Sequence, residues 1–200
     1  MFLKHTPPHL DSTCKPILRN QLAPFGRKFL RGTGLVLASE ALEMTVLFLS
    51  PYSFSKWERS QLPYIGKHYT EAFTKPPLLD NDGVFTNLFA HPYQGAFEYN
   101  CLRSQGANIW QSVLFAALHS TFWEYAIEGS EERPSVQDLL ITPIAGSLLG
   151  ELVHFATMRM SRNGFTWYEG LFVCLLNPAF LLNNGFKFAK PLKKNKCFNP

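Results

Sequence analysis

Charge is scarce in this chain. Only 17% of its 200 residues are Asp, Glu, Lys or Arg, against roughly 25% in an ordinary soluble domain. So few charges solvate a surface poorly and favour a membrane or a partner as a second solvent. Cysteine pairs are missing as well. Cys14, Cys101, Cys174 and Cys197 form no C-x-x-C pair, which leaves a zinc site unsupported, and they lie too far apart to read as a disulfide framework. Cys174, set in an apolar run, is expected as a small core residue. No apolar stretch follows Met1. Lys4, His5, Pro7 and Pro8 stand where the core of a signal peptide belongs, so export either uses sequence outside these residues or does not occur. The chain also lacks an internal repeat, strand-like alternation for a long β-sheet and any nucleic-acid-binding motif, so no nucleic acid partner is expected.

What is abundant is apolar. Hydrophobic residues make up 46% and aromatics 14%, with 18 Phe spread along the chain. The mean hydropathy of -0.06 nevertheless argues against a conventional multi-span protein. The length suits one domain with a substantial core. The net charge is +4, much of it between Arg19 and Arg31 and between Lys187 and Lys196. The second run is interleaved with apolar residues. It reads as a solvated tail, or as a contact to anionic headgroups at about 1 kcal/mol per basic residue.

Hydrophobic spacing and punctuation predict an all-α fold. A polar, basic arm over 1–28 precedes a helical domain over 29–186, and a basic tail over 187–200 follows. Four main helices are expected, over about 29–50, 107–128, 136–161 and 167–182. Pro51 ends the first. From Ser104 to Trp123 no residue carries a fixed charge, close to the roughly 20 residues that span a bilayer. Gln105, Asn108, Gln111, His119 and Ser120 dilute that run, which favours a buried or interfacial helix. Ser135 with Asp138, and Thr166 with Glu169, have capping-box spacing. Pro143 is expected to kink the third helix. Gly146 and Gly150, four apart, allow another helix to approach closely, in a membrane or in a soluble core alike. Asp80-Asn81-Asp82-Gly83 places its glycine too early for a calcium loop and reads as a turn. An irregular aromatic segment over 80–100 is expected to pack across the bundle. Within it Phe85, Phe89, Tyr93 and Phe97 are spaced by four, as on one face of a helix or of a helix broken near Pro92. Core packing and a membrane-interface belt both fit these rings.

The stretch from Asp80 to Glu151 resembles a bacterial family known as domain of unknown function 3943. The resemblance rests on Asp80-Asn81-Asp82 with Thr86-Asn87, His91-Pro92-Tyr93-Gln94-Gly95, Arg103-Ser104 with Gly106, and Phe122-Trp123-Glu124-Tyr125 with Glu128. Pro134-Ser135 with Asp138, Thr142-Pro143, Gly146 and Gly150-Glu151 continue it, and Leu176-Asn177-Pro178 looks like the family's terminal region. It implies a membrane-associated protein of a Gram-negative cell envelope, at the outer membrane or the periplasmic face, and no particular reaction. A Glu-bearing helix, a turn, then Asp and a Gly-rich helix is also similar to the VanZ-like membrane proteins of teicoplanin resistance; no residue role is carried over from them.

The informative residues are ionisable groups set in apolar helices. A buried carboxylate is costly unless paired or protonated. Glu40, Glu43, Glu124 and Glu151, with His119 and His154, stand among Leu, Val, Phe and Trp. Glu151 and His154 form one Glu-x-x-His half-site of a di-metal bundle, but no second half-site exists, so no metal or other cofactor is expected. His91, Glu124 and Glu151 are the candidate acid–base residues of a lipid- or glycolipid-directed hydrolase or transferase. The structural alternative is a satisfied polar network that fixes helix packing, drawn from Arg103, Ser120, Glu124, Glu128, Asp138, Glu151 and His154. The function expected first is a membrane-associated envelope domain that binds lipid or a membrane-protein partner. Convergence of His91, Glu124 and Glu151 in an open pocket would favour the enzyme instead.

Overall fold

A computed structural model of the chain describes residues 18–51, 59–79, 83, 85–162 and 164–185. The first 17 residues, the turn at Asp80-Asn81-Asp82 and the basic tail lie outside the described residues. Seven α-helices are described: α1 Phe25–Leu49, α2 Ile65–Thr74, α3 His91–Arg103, α4 Ile109–Phe122, α5 Val136–Ser161, α6 Trp167–Leu176 and α7 Pro178–Asn184. Among the described residues there is no strand, only a parallel bridge between Leu78 and Ser135 that ties the segment after α2 to the start of α5. The fold is therefore an all-α bundle.

α2 has no counterpart among the four helices expected from the sequence, and a second element departs further. The segment expected to be irregular becomes helical at Phe85, forms a π-helical turn over Thr86–Ala90 and continues as α3. Pro92 does not break it: the helix passes from the π-helical turn through Pro92 and runs on to Arg103. α3 is the axis of the bundle and buries eight of its 13 residues. It runs parallel to α5. A Cβ on Gly146 would sit 2.5 Å from the Gly95 Cα, one on Gly95 would run into the Thr142 carbonyl, and one on Gly150 would meet the Tyr99 ring at 2.7 Å. The two backbones touch because all three positions are glycine.

α1 runs antiparallel to α3, with Gly32 against the Cys101 carbonyl and the Phe115 ring. α4 lies antiparallel to α5, its Ser120 hydroxyl donating to the Asp138 carbonyl. α5 continues through Pro143 as a single helix. The caps follow the chemistry of the sequence. Thr166 and Glu169 form a full capping box at α6, and Asn108 with Gln111 forms another at α4.

Beside apolar clusters around Leu102 and Phe115 and around Val173 and Phe180, much of the interior is polar and much of the exterior apolar. The interior holds Glu98, Asn100, Gln105, Glu124, Asp138, Thr157, Asn177 and Asn183, each at most 2% exposed. Their hydrogen bonds run between helices: Asn100 Nδ2 donates to the Gly150 carbonyl, Gln105 Nε2 to that of Lys28, and Asn183 Nδ2 to that of Cys101. The exterior of α5 is a stripe of Leu140, Ile144, Leu148, Leu152 and Phe155, all more than half exposed. α1 turns Leu30, Leu37, Leu42, Val46 and Leu49 outward and buries Lys28, Gly32, Val36 and Glu40. Cys174, expected in the core, is exposed on α6 beside Leu171 and Leu175. Trp110 and Trp167 also lie outside, at 75% and 80% exposure, while Trp123 is buried.

Helix directions sort the charges. The end of the bundle where α1 starts and α3 and α5 finish carries Arg27, Lys28, Arg31, Arg103, Arg159 and Arg162. Lys28 anchors this end by donating to the carbonyls of Gln21 and Gly106. The opposite end, where α2 also packs, carries Glu71, Glu124, Glu128, Glu131, Glu132 and Asp138, with Lys67, Lys75 and Arg133 beside Glu71.

Candidate functional site

The polar residues singled out in the sequence form two groups, one at the start of α5 and one beside its middle. The first is a junction of helix ends. Ser135 caps α5, its hydroxyl accepting from the Asp138 N–H at 3.2 Å. A capping box would return the Asp138 carboxylate to the Ser135 N–H; here Glu124 Oε2, from the π turn after α4, accepts that N–H at 2.8 Å. Asp138 Oδ1 instead lies 3.2 Å from His91 Nε2, at the start of α3. Both side chains are under 10% exposed. Glu128 sits in the 3-10 turn Glu128–Ser130 beyond α4, outside the long helices. Its carboxyl is pushed well above the ordinary carboxylate range, by burial first and by the neighbouring Glu124 second.

The second group lies where α3 ends beside the middle of α5. Arg103 holds Glu151 through two parallel bonds, Nε to Oε2 at 2.8 Å and Nη2 to Oε1 at 3.1 Å. The Tyr99 hydroxyl donates to the same Oε2 at 2.6 Å, and Arg103 Nη1 donates to the Ala107 carbonyl. The fork-on-carboxylate geometry is the strong form of an ion pair. His154 is buried one turn further on, its Nδ1 without a hydrogen-bond partner among the described residues.

A groove of about 620 Å³ opens beside this second group. Ile109 and Val113 of α4 form one wall, and Ile144, Leu148 and Phe155 of α5 the other. Its polar lining comes from Tyr99, Ser147 and Glu151. The Ser147 hydroxyl is buried and has no hydrogen-bond partner among the described residues. The groove faces the apolar exterior, so what enters must be apolar along most of its length.

His91 and Glu124 thus share one junction, and Glu151 belongs to the other. Asp138 and Glu151 are 13 residues apart on α5, about 20 Å along the axis at 1.5 Å per residue. One substrate bond cannot meet all three acid–base candidates at that span. Arg103 and Glu151 stand together, as do Ser120, Glu124, Glu128 and Asp138, while Gly146 and Gly150 lie at the α3–α5 contact. Among the described residues no three His, Cys, Asp or Glu side chains are gathered closely enough to hold a metal ion.

The sequence reading missed Tyr99 as a hydrogen-bond donor and Glu98, Asn100 and Ser147 as interior residues. Their signal was present as helical spacing, since Gly95, Tyr99 and Arg103 recur every fourth residue along the face that meets α5.

A family model described as a domain of unknown function (DUF3943) matches residues 76–179, just over half of the chain. The chain belongs to the DUF3943 family. The DUF3943 segment includes α3 to α6, the groove and both polar groups, whereas α1 lies outside it. No curated protein and no solved structure matches the chain.

Proposed function

We propose that this DUF3943 protein is a membrane-embedded helical domain that holds one lipid chain in the groove between α4 and α5. The observation that carries the reading is the placement of polarity: carboxylates and amides are interior, while leucines are exterior. In water a continuous apolar stripe of this kind is an aggregation surface or an interaction site. In hydrocarbon it costs nothing, and interior polar groups then have to be paired, as most are here. α1 and α5 are the two helices long and apolar enough to cross a membrane; their 25 and 26 residues exceed the roughly 20 needed.

The groove gives that membrane setting a ligand. Its walls match an acyl chain, and the buried Ser147 hydroxyl, without a partner among the described residues, is the donor open to the carbonyl end. The membrane is proposed to be that of a Gram-negative envelope, on the strength of the family resemblance.

Purification in mild detergent followed by mass spectrometry of bound lipid tests the reading. The wild type is expected to retain lipid. Ile144→Trp and Leu148→Trp, which fill the groove from its outer wall, are expected to lose it. Leu171→Trp, on the exterior of α6, is expected to keep it. A lipid-free wild type, or equal retention in all four proteins, would reject the lipid site; another membrane protein seated on this face would give the first result.

A further inference from the structure

A third set of ionisable residues lies inside the bundle, apart from both groups described above. Glu40 of α1 is 3% exposed, and neither of its carboxyl oxygens has a hydrogen-bond partner among the described residues. His119 of α4 faces it, with Nδ1 3.9 Å from Glu40 Oε1 and Nε2 3.3 Å from the Thr33 hydroxyl. That Nδ1 also makes no hydrogen bond among the described residues. Glu98 of α3 is 1% exposed. Its Oε1 receives only a long 3.4 Å bond from the Gln94 amide, and its Oε2 has no partner among the described residues. Glu40 and Glu43 are both electrostatic neighbours of Glu98. The other titratable groups packed around the set are His91 and Cys101 of α3.

The charge balance is what needs explaining. Among the described residues no Lys or Arg pairs with Glu40 or Glu98. Lys28 is spent on backbone carbonyls at the far end of α1, and Arg103 is clamped on Glu151. His119 can supply one positive charge at most. Two ionised carboxylates cannot both stay in this interior, since an unpaired buried charge neutralises rather than persists. A proton on a carboxyl oxygen removes such a charge in place and needs no further ligand, which is why burial favours the neutral acid.

We propose that Glu40, Glu98 and His119 form a buried proton-binding site in which the two carboxyl groups together hold at least one dissociable proton. The site sits between α1, outside the DUF3943 segment, and α3 and α4, inside it, so a change in its protonation alters how α1 is held against the family core.

A neutral carboxylic acid in an apolar setting reacts with a hydrophobic carbodiimide. The carboxyl proton moves to one carbodiimide nitrogen and the carboxyl oxygen bonds to the central carbon. The adduct rearranges to a stable N-acylurea, and no atom leaves. The full chain in detergent, treated with dicyclohexylcarbodiimide and digested, is expected to carry the added mass on the peptide containing Glu40 or the one containing Glu98. Glu40→Gln and Glu98→Gln are each expected to lower the labelling, and the double variant to abolish it. Labelling of neither peptide by this reagent, with both modified by a water-soluble carbodiimide and an amine, would overturn the proposal by making them solvated carboxylates. Infrared spectroscopy gives a second readout: absence of a protonated-carboxyl carbonyl band at neutral pH in the wild type refutes the site, and a band supports it where part of the band survives Glu128→Gln, since the Glu128 carboxyl also favours its neutral form. Neither measurement needs a bound lipid, so failure here is separable from failure of the groove.

Discussion

Arg103 makes three hydrogen bonds, two of them to one carboxylate, and so ties α3, the loop after it and α5 into one joint. Its side chain is 21% exposed and that of Glu151 34%, so water or headgroups screen the pair in part. Arg103→Ala is expected to lower stability in detergent by about 2–3 kcal/mol, beneath the 3–5 of a fully buried pair. Replacing both partners, as in Arg103→Leu with Glu151→Leu, is expected to recover most of that loss, because no lone charge remains. Thermal or denaturant unfolding of the three proteins measures it; a double variant as unstable as the single one contradicts the account. Arg103, Glu151 and Asp138 were legible in the sequence because fixed charges in an apolar chain attract notice. Which of them pair was not legible. Glu151 and Asp138 share a helix, and only the position of α3 decides that one faces an arginine and the other a histidine.

The helices that the sequence revealed are those whose outward faces are apolar. α5 and the uncharged run of α4 were visible for that reason, and the caps Ser135 and Thr166 marked two helix starts. α3 was missed because its chemistry is that of an interior helix. His91, Gln94, Glu98, Asn100 and Arg103 look like loop residues under a rule that places polar groups in water. Where the surroundings are other helices and an apolar medium, the same polarity marks the centre. The glycines of this centre give a sharp test. Gly146→Ala puts a methyl group 2.5 Å from the Gly95 Cα. Backbone lies on both sides of that contact, so the change is expected to cost at least the 1–3 kcal/mol typical of overpacking. Gly34, exposed on α1 with nothing within 4 Å of an added Cβ, should behave in the opposite way. Gly34→Ala is expected to stabilise by about 0.5–1 kcal/mol through helix propensity alone. Equal effects at the two positions in an unfolding series would remove the close α3–α5 contact from the account.

The molecule as a whole has a greasy exterior and a mean hydropathy near zero, and those facts agree only because its polar residues are folded inward. Composition therefore hid the apolar exterior that residue placement reveals. Cell fractionation tests the proposed membrane setting directly. The protein is expected to stay with membranes through high salt and alkaline carbonate and to leave them only with detergent. Release by salt alone would mean that its basic residues, rather than α1 and α5, hold it there.

The uneven distribution of charge between the two ends of the bundle gives the molecule an address as well as a shape. Arginine and lysine flanking a membrane helix resist translocation, and they are drawn to whichever leaflet is richer in acidic lipid. If α1 and α5 span a bilayer, the end with Arg27, Arg31 and Arg162, the richer of the two in arginine, is expected on the side where the chain is made. The opposite end, with the exposed Glu132 above the buried pair of His91 and Asp138, would then face the compartment beyond.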